Sequence, residues 1–200
     1  MAQLVVDETL SGYLRNVGAV YNTIHDAAVG GAFEYQTVVQ VSNDYVDPDY
    51  YIYRGVAEFD LSALPVGAVI SSAIISLYGW STWVNEPFDI VVVSGADLVE
   101  PLQDADYGDL LDEVTSFGSI ASGDWVESDY NHITLNPTGK AAIVKEAVNY
   151  FAFRCSLDIS KTTPSGENGV QWLGAGYGHD AYITINYSTG ATFVQTACIG

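Results

Sequence analysis

The chain has 200 residues, 48% of them hydrophobic, enough to bury one substantial core, and no internal period or linker asks for a second. Six Lys and Arg stand against 25 Asp and Glu, and the resulting formal charge of −19 repels a nucleic-acid backbone, so no nucleic-acid partner is expected. No stretch approaches the roughly 20 apolar residues of a membrane span, which removes a membrane partner as well.

Acid usage is ordinary; the imbalance comes from scarce Lys and Arg. The opening MAQLVVDETLSG has neither a basic n-region nor the apolar run of a signal peptide, so export through the general secretory route is not expected.

In chain order, Leu4 to Asn16 reads as an extended segment, AVYNTIHDAAVGGA as a mixed loop, and Tyr35 to Val41 as a strand. Asn43 to Tyr53 packs Asp44, Asp47 and Asp49 among four tyrosines and a proline, which reads as an exposed loop. Arg54 to Asp60 forms the next strand, with Gly55, Ala57 and Phe59 on one face and Arg54, Val56, Glu58 and Asp60 on the other. Leu64-Pro65-Val66-Gly67 marks a corner, and from Ala73 through Ile75 and Leu77 to Gly79 small or apolar residues alternate again. Phe88 to Val93 is a short buried strand. Gly95 to Asp129 is an acidic excursion with ten acids and no base, too long for a simple connection. Tyr130 to Asn136 resumes strand alternation, and GKAAIVKEAVNY reads as one helix capped by Thr138. Tyr150 to Asp158, Val170 to Leu173 and Ala181 to Tyr187 complete the strands. The expected fold is all-β: a single jelly-roll-like antiparallel β-sandwich of about eight strands with one short helix, over residues 1–190, with 191–200 as a tail or extra strand.

Catalytic signals are weak. His25, His132 and His179 have no second ligand at zinc spacing, and no serine stands on a strand-to-helix elbow. With 25 acids, carboxylate pairs arise by chance, so no enzyme is expected. Calcium is the better metal question. Asp104, Asp106, Asp109 and Asp112 miss the EF-hand register, whereas Asp44, Asp47 and Asp49, with Asn43, form a tighter candidate for structural calcium. Exposed aromatic rings stack on sugars and anchor protein interfaces, which makes Trp80, Trp83, Trp125, Tyr50 and Tyr51 the candidate contact residues, with Tyr45 and Tyr53 beside them. Cys155 alternates inward with Phe151, Phe153 and Leu157 as a buried thiol, and would pair with Cys198 only if the tail folds back.

The run Arg54-x-x-x-x-Phe59-Asp60-Leu61-Ser62-x-Leu64-Pro65-x-Gly67-Ala68-x-Ile70-x-Ser72-Ala73-x-Ile75-Ser76-Leu77-Tyr78 carries a resemblance. With the tyrosine-rich segment before it and YITINY near the end, the chain resembles the DNRLRE-type, carbohydrate-binding-like β-sandwich modules; over most of its length it also resembles the stand-alone structural proteins of tailed bacteriophages, which the opening GYLRNVGAVYNTIHDAAVG and the Asp106-Tyr107-Gly108-Asp109 stretch fit better. The resemblance implies a non-enzymatic virion component, such as a capsid decoration protein or a head or tail fibre part, in contact with other virion proteins and self-associated as a trimer or other symmetric oligomer. Host-surface glycan is the further partner implied, and a secreted or cell-surface carbohydrate-binding module is the alternative. It brings no catalytic residue.

Overall fold

A computed structural model describes residues 1–189. The expected tail or extra strand at 191–200, with Cys198, lies outside the described residues. The elements run β1 (Ala2–Gly18), α1 (Tyr21–His25), β2 (Gly31–Glu34), β3 (Val38–Val46), β4 (Asp49–Asp60), β5 (Ala68–Val84), β6 (Asp89–Ser94), α2 (Asp106–Asp109), β7 (Gly118–Ala121), β8 (Tyr130–Thr134), α3 (Pro137–Ala142), β9 (Val148–Cys155), α4 (Ser156–Ile159), β10 (Asn168–Leu173) and β11 (Tyr182–Thr189). Every strand pairing is antiparallel.

The all-β expectation stands, but the described residues hold eleven strands in place of about eight, and their pairing closes on itself. β1 and β5, at 17 residues each, change partners along their length. β1 pairs with β11 up to Asp7 and with β4 beyond it; β5 pairs with β11 and β8 up to Tyr78 and with β10 from Gly79. The circuit β1–β11–β5–β10–β3–β4 is therefore a closed ring of six strands, in place of the two separate sheets of a jelly roll. Register shifts at Glu8/Leu10 and at Gln171/Trp172 let the long strands bend between partners, and closure removes edges that a sandwich leaves open. β9, β6 and β7 extend the sheet from β4, and β2 flanks β1.

The main core lies inside the ring, where Val39, Val41, Phe59, Ile75, Leu77, Phe153, Trp172 and Ile183 meet. Cys155 joins it, and burial pushes its thiol up to about 12, so it acts as a small apolar residue. A second core covers the opposite face of β4. There Leu10, Leu14, Ile52 and Val56 receive Tyr21 and Ile24 from α1 and Leu98, Leu102, Tyr107 and Leu110 from the acidic excursion. Each buried leucine contributes roughly 2 kcal/mol, which holds a highly charged segment on the sheet.

Three local expectations change. Asn43 to Tyr53 is no exposed loop: it is the end of β3 and the start of β4, joined at Asp47–Pro48, with Tyr53 opposite Ser42 and Tyr51 opposite Asp44. The helix stops at Ala142 and its cap is Asn136, whose side chain accepts from Gly139 N–H at 2.9 Å. It cannot continue, because the Asn149 side chain takes both the N–H and the carbonyl of Val144, at 2.8 Å each, and closes a turn there. The excursion contains α2, β7 and a 3-10 turn at Ser122–Asp124.

At the junction of the second core lies a buried charged centre. Arg54 donates through Nε and Nη2 to the two oxygens of Asp158, both at 3.0 Å, and Arg154 Nε donates to the same carboxylate at 2.8 Å. All three side chains are fully enclosed. The remaining donors reach backbone oxygens around α2: Arg54 to Tyr107 at 2.6 Å, Arg154 to Leu110 at 2.8 Å and to Leu111 and Glu113 at 3.1 Å. The Tyr107 ring lies 4.1 Å from the Arg54 guanidinium carbon. His25 Nε2 bonds the Asp158 carbonyl at 2.9 Å and ties α1 to the same point. The centre is a clamp that pins excursion, α1 and α4 to the sheet.

The Trp83 face as a candidate binding site

Residues directly opposite one another on paired strands point to the same side of the sheet. Arg15 on β1 faces Tyr53 on β4, Tyr53 faces Ser42 on β3, Ser42 faces Gly169 on β10, and Gly169 faces Trp83 on β5. Five strands thus write one transverse row, roughly 19 Å long at about 4.8 Å per strand spacing. Its ends are large and its middle is small.

That middle decides where Trp83 goes. A Cβ on Gly169 would lie 2.6 Å from both the Trp83 ring and Ser42 Cβ, so the absence of a side chain lets the indole cross β10 against the sheet. Its Nε1–H reaches β3 and donates to Asp44 Oδ1 at 3.0 Å, where Asn168 N–H also donates at 2.7 Å. Asp44 is buried, and burial pushes its carboxyl up while those donors act in the opposite direction. One side of the indole faces the sheet. The other borders an open cleft of ≈ 270 Å³ shared with Gln40, Val46, Tyr51, Tyr53 and Glu167. Gln171 Nε2 donates to Gln40 Oε1 at 3.0 Å and Gln40 Nε2 to Ser42 Oγ at 3.1 Å, a short amide ladder along one wall. A flat apolar ring with amides, phenols and a carboxylate around it can stack a ring and bond its rim.

The substitution Gly169→Ala tests this arrangement without touching the indole. The added methyl displaces Trp83, breaks its bond to Asp44, and is expected to shift tryptophan fluorescence and cost about 1–3 kcal/mol of stability. Unchanged fluorescence and stability would show that the indole does not lie across β10.

Of the residues singled out from sequence, Trp83, Tyr51 and Asp44 come together here, with Tyr53. Trp80 is 56% exposed on β5, outside the cleft. Trp125 is buried, its Nε1 near Gly79. Tyr50 points to the other face of β4 and packs 5.6 Å from Tyr21 and 4.8 Å from Tyr45. The calcium candidates separate: Asp44 serves Trp83 and Asn168, Asp47 accepts from Tyr45 Oη at 3.0 Å, and Asp49 opens β4 opposite Val46. Among the described residues no three His, Cys, Asp or Glu side chains converge on a point that could hold a metal ion. The histidines stay apart, His132 bonded to Ser76 Oγ at 2.8 Å and His179 stacked on Tyr78 at 4.0 Å. Sequence reasoning missed Arg15, Gln40 and Gly169. Period-two alternation through Val38, Gln40 and Ser42 against Val39 and Val41 of β3 carried a signal for Gln40, but the pairing of Gly169 with Trp83 joins distant strands and has no local signature.

No protein-family model matches the chain, and no curated protein matches it. No helix among the described residues is long and apolar enough to cross a membrane.

Proposed function

We propose that this chain is a non-enzymatic recognition and structural component of a virus particle of tailed-phage type, a capsid decoration protein or a head or tail fibre part, and that its Trp83 face contacts host-surface carbohydrate. The observation that carries the carbohydrate contact is the indole laid across Gly169 and fixed to Asp44, with Tyr51 and Tyr53 beside it. A ring backed by the sheet on one face and fixed by its Nε1–H at the edge loses little entropy when a sugar stacks on its open face, and the surrounding amides and carboxylate supply hydrogen bonds to hydroxyls. The particle setting is supported by the resemblance to phage structural proteins, carried by the opening GYLRNVGAVYNTIHDAAVG and by Asp106-Tyr107-Gly108-Asp109, and assembly there proceeds through contacts with other virion proteins and a trimer or other closed symmetric oligomer. The same face equally serves a secreted or cell-surface carbohydrate-binding module, which is the second reading.

One measurement tests the face that both readings share, and a second separates them. On a glycan array the intact protein binds and Trp83→Ala loses about tenfold or more of that binding, as expected for a lost stacking platform; unaffected binding in the variant removes the face from the function. Mass spectrometry of purified particles finds the chain at a stoichiometry comparable to other structural proteins. Its absence from particles, with glycan binding retained, would favour the secreted module.

A further inference from the structure

Lys and Arg are scarce on this protein, six against 25 Asp and Glu, and five of the six are occupied. Arg54 and Arg154 hold Asp158. Lys161 pairs with Asp26, while Lys140 donates to Ser71 O at 3.0 Å and Lys145 to Val66 O at 3.2 Å. Arg15 alone has a side chain with no hydrogen bond and no ion pair among the described residues, although 25 acids are available in the sequence.

Arg15 is nonetheless held in place. Its guanidinium carbon lies 5.0 Å from the Phe33 ring centroid and 5.8 Å from that of Tyr53. Tyr13 braces both rings, stacked 5.0 Å from Phe33 and tilted 5.3 Å from Tyr53. Contacts between a guanidinium and ring faces fix its plane and leave its N–H donors unused. Tyr53 belongs both to this box and to the Trp83 cleft, so the two are one continuous surface.

We propose that the glycan bound on this surface is an acidic one, and that Arg15 receives the carboxylate of the sugar next to the one stacked on Trp83. The inference rests on the carbohydrate reading of the Trp83 face. A planar guanidinium with free donors is the side chain best matched to a carboxylate, which it binds through two parallel N–H···O bonds. Register places the charge at the right remove. The indole reaches β3 at Asp44, Arg15 stands on β1, and the two strand spacings between them amount to about 10 Å, so the charged group and the stacked ring sit on different sugars. The chain's net negative charge opposes an anionic ligand at long range. At physiological salt charges beyond about 8 Å are screened, so the contact at Arg15 decides the preference.

The test uses the full chain on an array in which uronic-acid- and sialic-acid-bearing oligosaccharides are each printed beside the carboxyl-reduced, neutral counterpart. The intact protein is expected to favour an acidic member over its neutral twin by about tenfold or more. Arg15→Ala abolishes that preference by weakening only the acidic member, Arg15→Lys restores part of it, and Trp83→Ala weakens both members. Equal binding of the two members by the intact protein, or equal weakening of both by Arg15→Ala, overturns the role of Arg15 and leaves the carbohydrate reading in place. Binding to no sugar at all overturns both.

Discussion

Asp158→Ala is expected to cost about 3–5 kcal/mol of folding stability, because it leaves two guanidiniums buried without a carboxylate. Domains are stable by only about 5–15 kcal/mol, so the loss is a large share of the total and the variant should unfold at a markedly lower urea concentration. The prediction rests on enclosure: Arg54, Arg154 and Asp158 are all fully buried, and the arginines also hold the carbonyls of Tyr107, Leu110, Leu111 and Glu113. Urea denaturation of the variant against the parent measures the loss. Replacing all three residues by apolar ones of similar volume should cost far less, since no charge is then stranded. A loss under about 1 kcal/mol for Asp158→Ala would contradict the clamp. Burial alone would push the Asp158 carboxyl up, but the Arg54 and Arg154 guanidiniums outweigh it and hold it well below the usual carboxylate range. With a folded-state value depressed below the unfolded one, this contribution is present above the ordinary carboxylate range and is lost only as pH falls beneath it.

Glu8→Gln is expected to stabilise the protein in alkaline solution. Burial, with smaller pushes from Asp180 and Asp7 against the Ala181 N–H bond, raises the Glu8 carboxyl from 4.5 to about 8. Its Oε1 accepts from Ala181 N–H at 3.1 Å, and its Oε2 has no partner among the described residues. The folded chain therefore retains a proton between roughly pH 4.5 and 8 that the unfolded chain has released, so stability falls as pH rises through that window and is flat above it. The difference corresponds to a few kcal/mol at about 1.4 kcal/mol per unit. Glutamine keeps the Oε1 acceptor and cannot ionise. Melting temperatures at pH 5 and pH 9 should differ less in Glu8→Gln than in the parent; parallel behaviour of the two proteins would contradict a protonated buried Glu8.

What the sequence displayed plainly was alternation. The faces of β4 and β5 follow from Gly55, Ala57, Phe59, Ala73, Ile75 and Leu77, and all of these positions pack as that pattern requires. Composition misled where it overrode pattern: aspartates, tyrosines and a proline made Asn43–Tyr53 look like a loop, while Tyr51, Ile52, Tyr53 and Arg54 were already alternating between two faces. Closure of the ring was not legible, because it depends on β1 and β5 exchanging partners partway along, a choice between distant strands. The clamp left a local trace, an arginine inside the apolar YFAFRC strand of a chain poor in cations, with Asp158 four residues on. The site was half visible. Trp83, Tyr51 and Asp44 were candidates by residue type, but the partners that make them a surface, Gly169 and Arg15, are set by register alone.

The proposed carbohydrate contact at the Trp83 face is tested most directly by nuclear magnetic resonance, titrating the labelled protein with the strongest array ligand. The indole Nε1–H of Trp83 and the Nε–H of Arg15 should shift together, with Tyr51 and Tyr53 following. The opposing result is equally definite. Shifts confined to the aromatic group Tyr78, Tyr130, Tyr182 and His179 on the other half of the ring, with Trp83 and Arg15 unmoved, would assign recognition to that face and contradict the account.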